Sequence, residues 1–122
     1  MSLQSLYNIR AFQNAEGDFS ALISFDPAHE IFSGHFPGRP IVPGVCLIHM
    51  MKEVAGLISA QEMTLNAGVN VKFLHVIEPG MMTEVKLKGT FSANEENGLS
   101  LSAQIYSEDI VIFKFKGNFT VS

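Results

Sequence analysis

GHFPGRPIVPGVCLIHMMKEVAG, residues 34–56, joins a proline- and glycine-rich loop to the longest apolar segment of the chain. It holds two histidines, His35 and His49, three prolines and four of the chain's ten glycines, and it closes as an almost wholly apolar run. Pro37, Pro40 and Pro43 fix φ along a loop, while Gly38 and Gly44 let other backbone come close. Residues 45–60 are too long an apolar run for a buried strand and carry few polar positions, so they predict one helix of about 24 Å, at 1.5 Å per residue. Pro43 suits its first turn, and apolar residues on most faces predict a helix wrapped by other elements rather than laid on a surface.

Working outward, residues 6–12 and 20–26 read as a leading hairpin around an Ala15-Glu16-Gly17-Asp18 turn. Residues 68–77, 82–93, 99–107 and 110–121 read as strands. Val85-Lys86-Leu87-Lys88 and Phe113-Lys114-Phe115-Lys116 alternate with period two, which gives each strand one dry face and one wet one. The short links Glu78-Pro79-Gly80, 94–98 and Glu108-Asp109 predict antiparallel neighbours, hence a four-strand meander. Two strands, a long helix and a meander make an α+β domain in which a curved antiparallel sheet wraps one long central helix.

Residues 1–122 are the size of one domain, and 47% apolar content is ample for a core. The net charge is −4, with eight basic residues scattered singly along the sequence. That pattern lacks the clustered cations that phosphate-backbone binding demands, so nucleic acid is not an expected partner. No apolar run reaches the roughly 18 residues of a membrane span, and residues 1–5 lack the pattern of a secretion signal. A lone cysteine, Cys46, fits a reducing compartment, and a cytoplasmic location is expected.

The eleven residues His35-Phe36-Pro37-Gly38-Arg39-Pro40-Ile41-Val42-Pro43-Gly44-Val45 resemble the signature of bacterial (3R)-hydroxyacyl-acyl-carrier-protein dehydratases, which have the hot-dog fold. Val71-Lys72-Phe73-Leu74 and Glu78-Pro79-Gly80 resemble the strand and turn that follow the helix in that family. The resemblance implies dehydration of 3-hydroxyacyl thioesters, carried on the phosphopantetheine of an acyl carrier protein, to trans-2-enoyl thioesters in fatty-acid or polyketide-like biosynthesis. It implies no cofactor and no metal. It makes His35 the base that takes the C2 proton and Gly44 the amide that binds the thioester carbonyl. Phe36, Pro43 and Val45 are then further substrate-binding residues, and Arg39, on the rim, can steer the carrier. It also implies subunits paired as a homodimer, a higher assembly of dimers or a heterodimer. The carbonyl role has its own physical basis, because the first amides of a helix lack internal partners and sit at its positive dipole end.

Fourteen positions after the loop histidine the family carries Glu or Asp, and this chain carries His49. Three readings follow. His49 can be the acid, a cation beside a neutral His35, with Glu53 one turn on as its support. Alternatively the chain is a catalytically impaired acyl-thioester-binding subunit that needs a partner dehydratase. In the third, the fold serves as a thioesterase, with Glu53 activating water. Other arrangements compete on the same residues: a Cys46–His49 nucleophilic pair, a metal held by His35, His49 and Glu53, or a His49 that is merely packed. His29 and Glu30 read as solvated turn residues and His75 as a packed or interface residue. Met50, Met51, Met81 and Met82 suit either an acyl channel or plain core.

Overall fold

A computed structural model of the chain describes residues 6–34, 41–66, 70–82 and 84–122. The leading hairpin is β1 (Tyr7–Ala15) and β2 (Asp18–Phe25). Its turn places Glu16 at φ 54° and Gly17 at φ 87°, the double positive φ that suits the right-handed twist of two antiparallel strands. A short helix α1 (Ile31–Gly34) precedes the long helix α2 (Gly44–Ser59). The remaining strands are β3 (Met63–Leu65), β4 (Asn70–Phe73), β5 (Glu84–Asn94), β6 (Gly98–Ser107) and β7 (Ile110–Val121).

All described pairings are antiparallel, in the order β1-β2-β5-β6-β7-β3, with β4 also on β7. The expected hairpin, helix and three long strands are present, within three residues at their ends. The expected four-strand meander is not. The 78–80 link does not make β4 a neighbour of β5; instead β4 pairs with β7 from Asn70↔Lys116 to Phe73↔Phe113. Val71 and Phe73 thereby join the face that carries buried Phe115 and Phe113, contacts a β5 pairing could not supply because β2 and β6 already flank β5. Two short elements, α1 and β3, carry too little periodicity to be read from sequence.

One face of the sheet lies on α2. Ile23, Leu87, Ile105, Ile112, Phe113, Phe115 and Phe119 are buried there with Cys46, Leu47, Met50, Met51, Val54 and Ala55 of the helix. Burying each large side chain contributes about 1.5–3 kcal/mol, so Met50 and Met51, both fully buried, belong to the core. One ridge of the helix is left open among the described residues. Val45, His49, Glu53 and Leu57, spaced four apart along one ridge, are exposed. The expected curved sheet around one helix is present, and the apolar run of α2 divides between this buried side and the exposed ridge.

The opposite face of the sheet gathers cations. Lys72, Lys86, Lys88, Lys114 and Lys116 are all exposed on it, five of the eight basic residues of the chain. Lys72 stands directly across from Lys114, and Lys88 and Lys114 both flank Gln104. Residues scattered singly in sequence are thus clustered in space, since alternation sends every second residue of β4, β5 and β7 to the same side. None of these five lysines forms an ion pair among the described residues. No described helix is long and apolar enough to cross a membrane.

Candidate active site

The start of α2 is built from Val42 to Cys46. The Val42 amide donates to the Ile77 carbonyl at 2.9 Å, and the Cys46 amide donates to the Pro43 carbonyl at 3.0 Å. Pro43, at φ −62° and ψ 141°, holds the cap position without a side-chain hydrogen bond to the helix. The Gly44 and Val45 amides, ahead of Cys46 in the first turn, have no intrahelical acceptors, so they present partial positive charge where the helix opens.

Phe73 of β4 lies over this turn. A β-carbon placed on Gly44 would come within 2.7 Å of its Cε1 and 2.8 Å of its Cζ. Glycine at 44 therefore lets an aromatic ring sit against the helix entrance. Phe73 is itself anchored on Phe113, ring centre to ring centre 5.4 Å, yet stays half exposed. Sequence reading did not place Phe73 against the helix entrance, since its partner lies across the sheet.

One turn further along, His49 Nε2 stands 3.1 Å from Glu53 Oε1, with 43% and 47% of the two side chains exposed. The expected pairing of His49 with Glu53 is present. The Tyr7 hydroxyl donates to the same Glu53 oxygen at 2.6 Å. Tyr7, buried at the start of β1, is a second residue that sequence reading missed; no local pattern links positions 7 and 53. Burial above all, then the hydrogen bond and negative charge of Glu53, push the Tyr7 phenol above its usual range, so it stays a donor. A groove of about 480 Å³ runs beside this group, lined by Tyr7, Asn8, Ile9, Glu53, Gly56 and Leu57.

The structure brings together Pro43, Gly44 and Val45 at the helix entrance and His49 and Glu53 along its open ridge. His35, Phe36 and Arg39 lie outside the described residues. Cys46 faces the core, and burial pushes its thiol up, which keeps it protonated and unsuited to attack. No three His, Cys, Asp or Glu side chains gather to hold a metal among the described residues. His29 corrects an expectation: it is buried, and its Nδ1 accepts the Ile31 amide at 3.0 Å, where it caps α1. His75 is exposed beyond β4. A larger hollow, about 720 Å³, lies elsewhere, on the lysine-bearing face between Gln13, Asp18, Lys88, Thr90, Ser102 and Gln104. It contains neither an imidazole nor a helix terminus, so its size does not outweigh the chemistry assembled on α2.

Comparison with known proteins places this arrangement. The ApeI-like family model, described as ApeI dehydratase, matches residues 11–114. The chain is 34% identical over 65 residues to the 3-hydroxyacyl-acyl-carrier-protein dehydratase FabZ of Rhizorhabdus wittichii, covering 46% of this chain and 41% of that one. Over 67 residues it is 36% identical to FabZ of Coxiella burnetii, covering 47% of each. The chain thus spans less than half the length of these relatives. Among solved structures, the dehydratase heterocomplex ApeI:P of Xenorhabdus doucetiae matches with a TM-score of 0.68 at 24% identity, over 88% of this chain and 91% of that one. A thioesterase-like protein, yhdA of Lactococcus lactis, matches with the same TM-score at 15% identity, over 93% and 91%. These two likenesses speak to the fold, a curled antiparallel sheet around one helix. The family model covers most of the 122 residues, helix ridge included, and on that ground the chain belongs to the ApeI-like dehydratase family and has the hot-dog fold.

Proposed function

We propose that the chain dehydrates 3-hydroxyacyl thioesters of an acyl carrier protein to trans-2-enoyl thioesters. The observation that carries this reading is the His49–Glu53 pair on the open ridge of α2, one turn from an uncapped helix entrance, in a member of a dehydratase family.

The thioester carbonyl accepts from the Gly44 amide, which stabilises the enolate-like charge that develops as C2 loses its proton. His35 takes that proton. The C2–C3 double bond forms as the C3–O bond breaks, and the departing hydroxyl leaves as water with a proton from His49. A carboxylate accepts only, so Glu53 directs His49 Nε2–H toward itself and leaves Nδ1 for the substrate. Transfer of the proton from His35 back to His49 through solvent resets the pair. Thioester hydrolysis is less favoured, because Glu53 Oε1 is already engaged by Tyr7 and His49 rather than free to activate water.

The ridge of Val45, His49, Glu53 and Leu57 would be covered by a second hot-dog subunit, either a copy of this chain or a different one. Four large apolar side chains exposed within residues 73–81, Phe73, Leu74, Val76 and Met81, support such an interface, since exposed apolar surface is expected where subunits associate. The lysine face supports an acidic carrier as the substrate's bearer. Hydration of a crotonyl thioester by the purified chain tests the reading. Turnover that depends on both His35 and His49 supports it. An inert chain that becomes active only on mixing with another subunit favours the accessory role, and release of free thiol favours hydrolysis.

A further inference from the structure

The geometry assigns Tyr7 as the positioning residue of the site: through Glu53 it fixes the ring of His49 in one orientation and one tautomer. A buried tyrosine hydroxyl needs a partner, and any backbone carbonyl would serve. Tyr7 instead reaches from the sheet to α2 and spends its hydrogen bond, at 2.6 Å, on the one oxygen that also faces His49 Nε2 at 3.1 Å. Glu53 is long, half exposed and on the outer ridge of the helix, and among the described residues only Tyr7 and His49 hold its carboxylate. Its side chain would sample several rotamers in water.

Tyr7 has no such freedom. It pairs with Phe25 across the hairpin, and the carbonyl of the preceding residue, Leu6, accepts the Asp26 amide at 2.8 Å. The rigid end of a sheet thereby holds the mobile end of a carboxylate, and the carboxylate holds the imidazole. With Nε2 turned to Glu53, His49 Nδ1 has no protein partner among the described residues and is the nitrogen left to meet a hydroxyl. This is the logic of a carboxylate that orients a histidine, with a phenol added to orient the carboxylate.

The catalytic meaning of Tyr7 rests on the dehydratase reading, but its geometric meaning does not, and the test separates the two. In full-length protein labelled with ¹⁵N-histidine, the long-range imidazole spectrum of His49 reports which nitrogen carries the proton. At a pH high enough for the ring to be neutral, the form left after Nδ1 has given up its proton, the wild type is expected to show the Nε2–H tautomer, and Tyr7→Phe, which keeps the ring, a mixture of both tautomers. Crotonyl thioester hydration by Tyr7→Phe should fall roughly tenfold in kcat, the size of one lost hydrogen bond to a charged group, with KM within about twofold. Should Tyr7→Phe fail to fold, Glu53→Gln is measured instead and is expected to lose the same bias. A folded Tyr7→Phe or Glu53→Gln protein with an unchanged His49 spectrum overturns the assignment. A wild type without turnover but with the expected spectral change would sink the dehydratase reading and leave the positioning role standing.

Discussion

An imidazole at position 49 differs from a carboxylic acid in that, once it has given up its proton, it is neutral, so it does not repel the carboxylate one turn along the helix. Glu53 and His49 suit each other for that reason, and a second carboxylate would not. His49→Glu is therefore expected to abolish hydration of a crotonyl thioester rather than improve it, because two like charges at i and i+4 repel and compete for one proton. His49→Ala should cost about 100-fold or more in kcat, the usual contribution of a positioned acid. Steady-state kinetics of both variants decide the matter; a His49→Glu gain would mean that His49 is a degraded acid. Tyr7 and Cys46 also set the alkaline limit of the fold. Both are held protonated when folded, while in the unfolded chain a thiol ionises near about pH 8.5 and a phenol near about pH 10. Above those values the unfolded state binds fewer protons than the folded one, so stability falls as pH rises. Urea unfolding at neutral and alkaline pH should show that decline, and a Tyr7→Phe, Cys46→Ala double variant should show less of it.

Helix α2 and strand β4 meet at Gly44, where a side chain would strike the Phe73 ring. Gly44→Val is expected to displace that ring, lower stability by about 1–3 kcal/mol as over-packing does, and raise KM for an acyl thioester. Thermal melts and kinetics read the two effects separately; an unchanged KM would mean that Phe73 forms no part of the substrate wall. How much of this is legible in sequence differs by element. The helix announces itself by apolar length, and β5, β6 and β7 by alternation, all local signals. The partner of β4 does not, because the Glu78-Pro79-Gly80 turn argues for adjacency, whereas β4 ends at Phe73, β5 starts only at Glu84, and the need to bury Val71 sends the strand to β7. The pairing of His49 with Glu53 is legible from helical spacing alone. Tyr7 is invisible for the opposite reason, since only the folded hairpin carries it to the helix.

Across the whole molecule, five lysines on one sheet face confront a net charge of −4, and Lys72 opposite Lys114 is a like-charged cross-strand pair that costs stability. Lys72→Ser should therefore leave the fold as stable or slightly more so. If the face receives an acidic carrier, a Lys72→Ser, Lys114→Ser variant should raise KM for a carrier-borne substrate several-fold at low salt while leaving a coenzyme A thioester unaffected. Equal effects on both substrates would take the lysine face out of carrier recognition. Strand β7 gives the molecule a further property. Among the described strands it alone pairs with all of β3, β4 and β6, so the ring that leans on Gly44 is suspended from residues about forty positions downstream. On a ribosome, residues 34–56 would emerge complete yet without their roof, and the site would close only when Phe113 and its neighbours had cleared the exit tunnel. Nascent chains arrested before that point should hold an unformed cleft, even though the whole histidine-bearing motif has already been made.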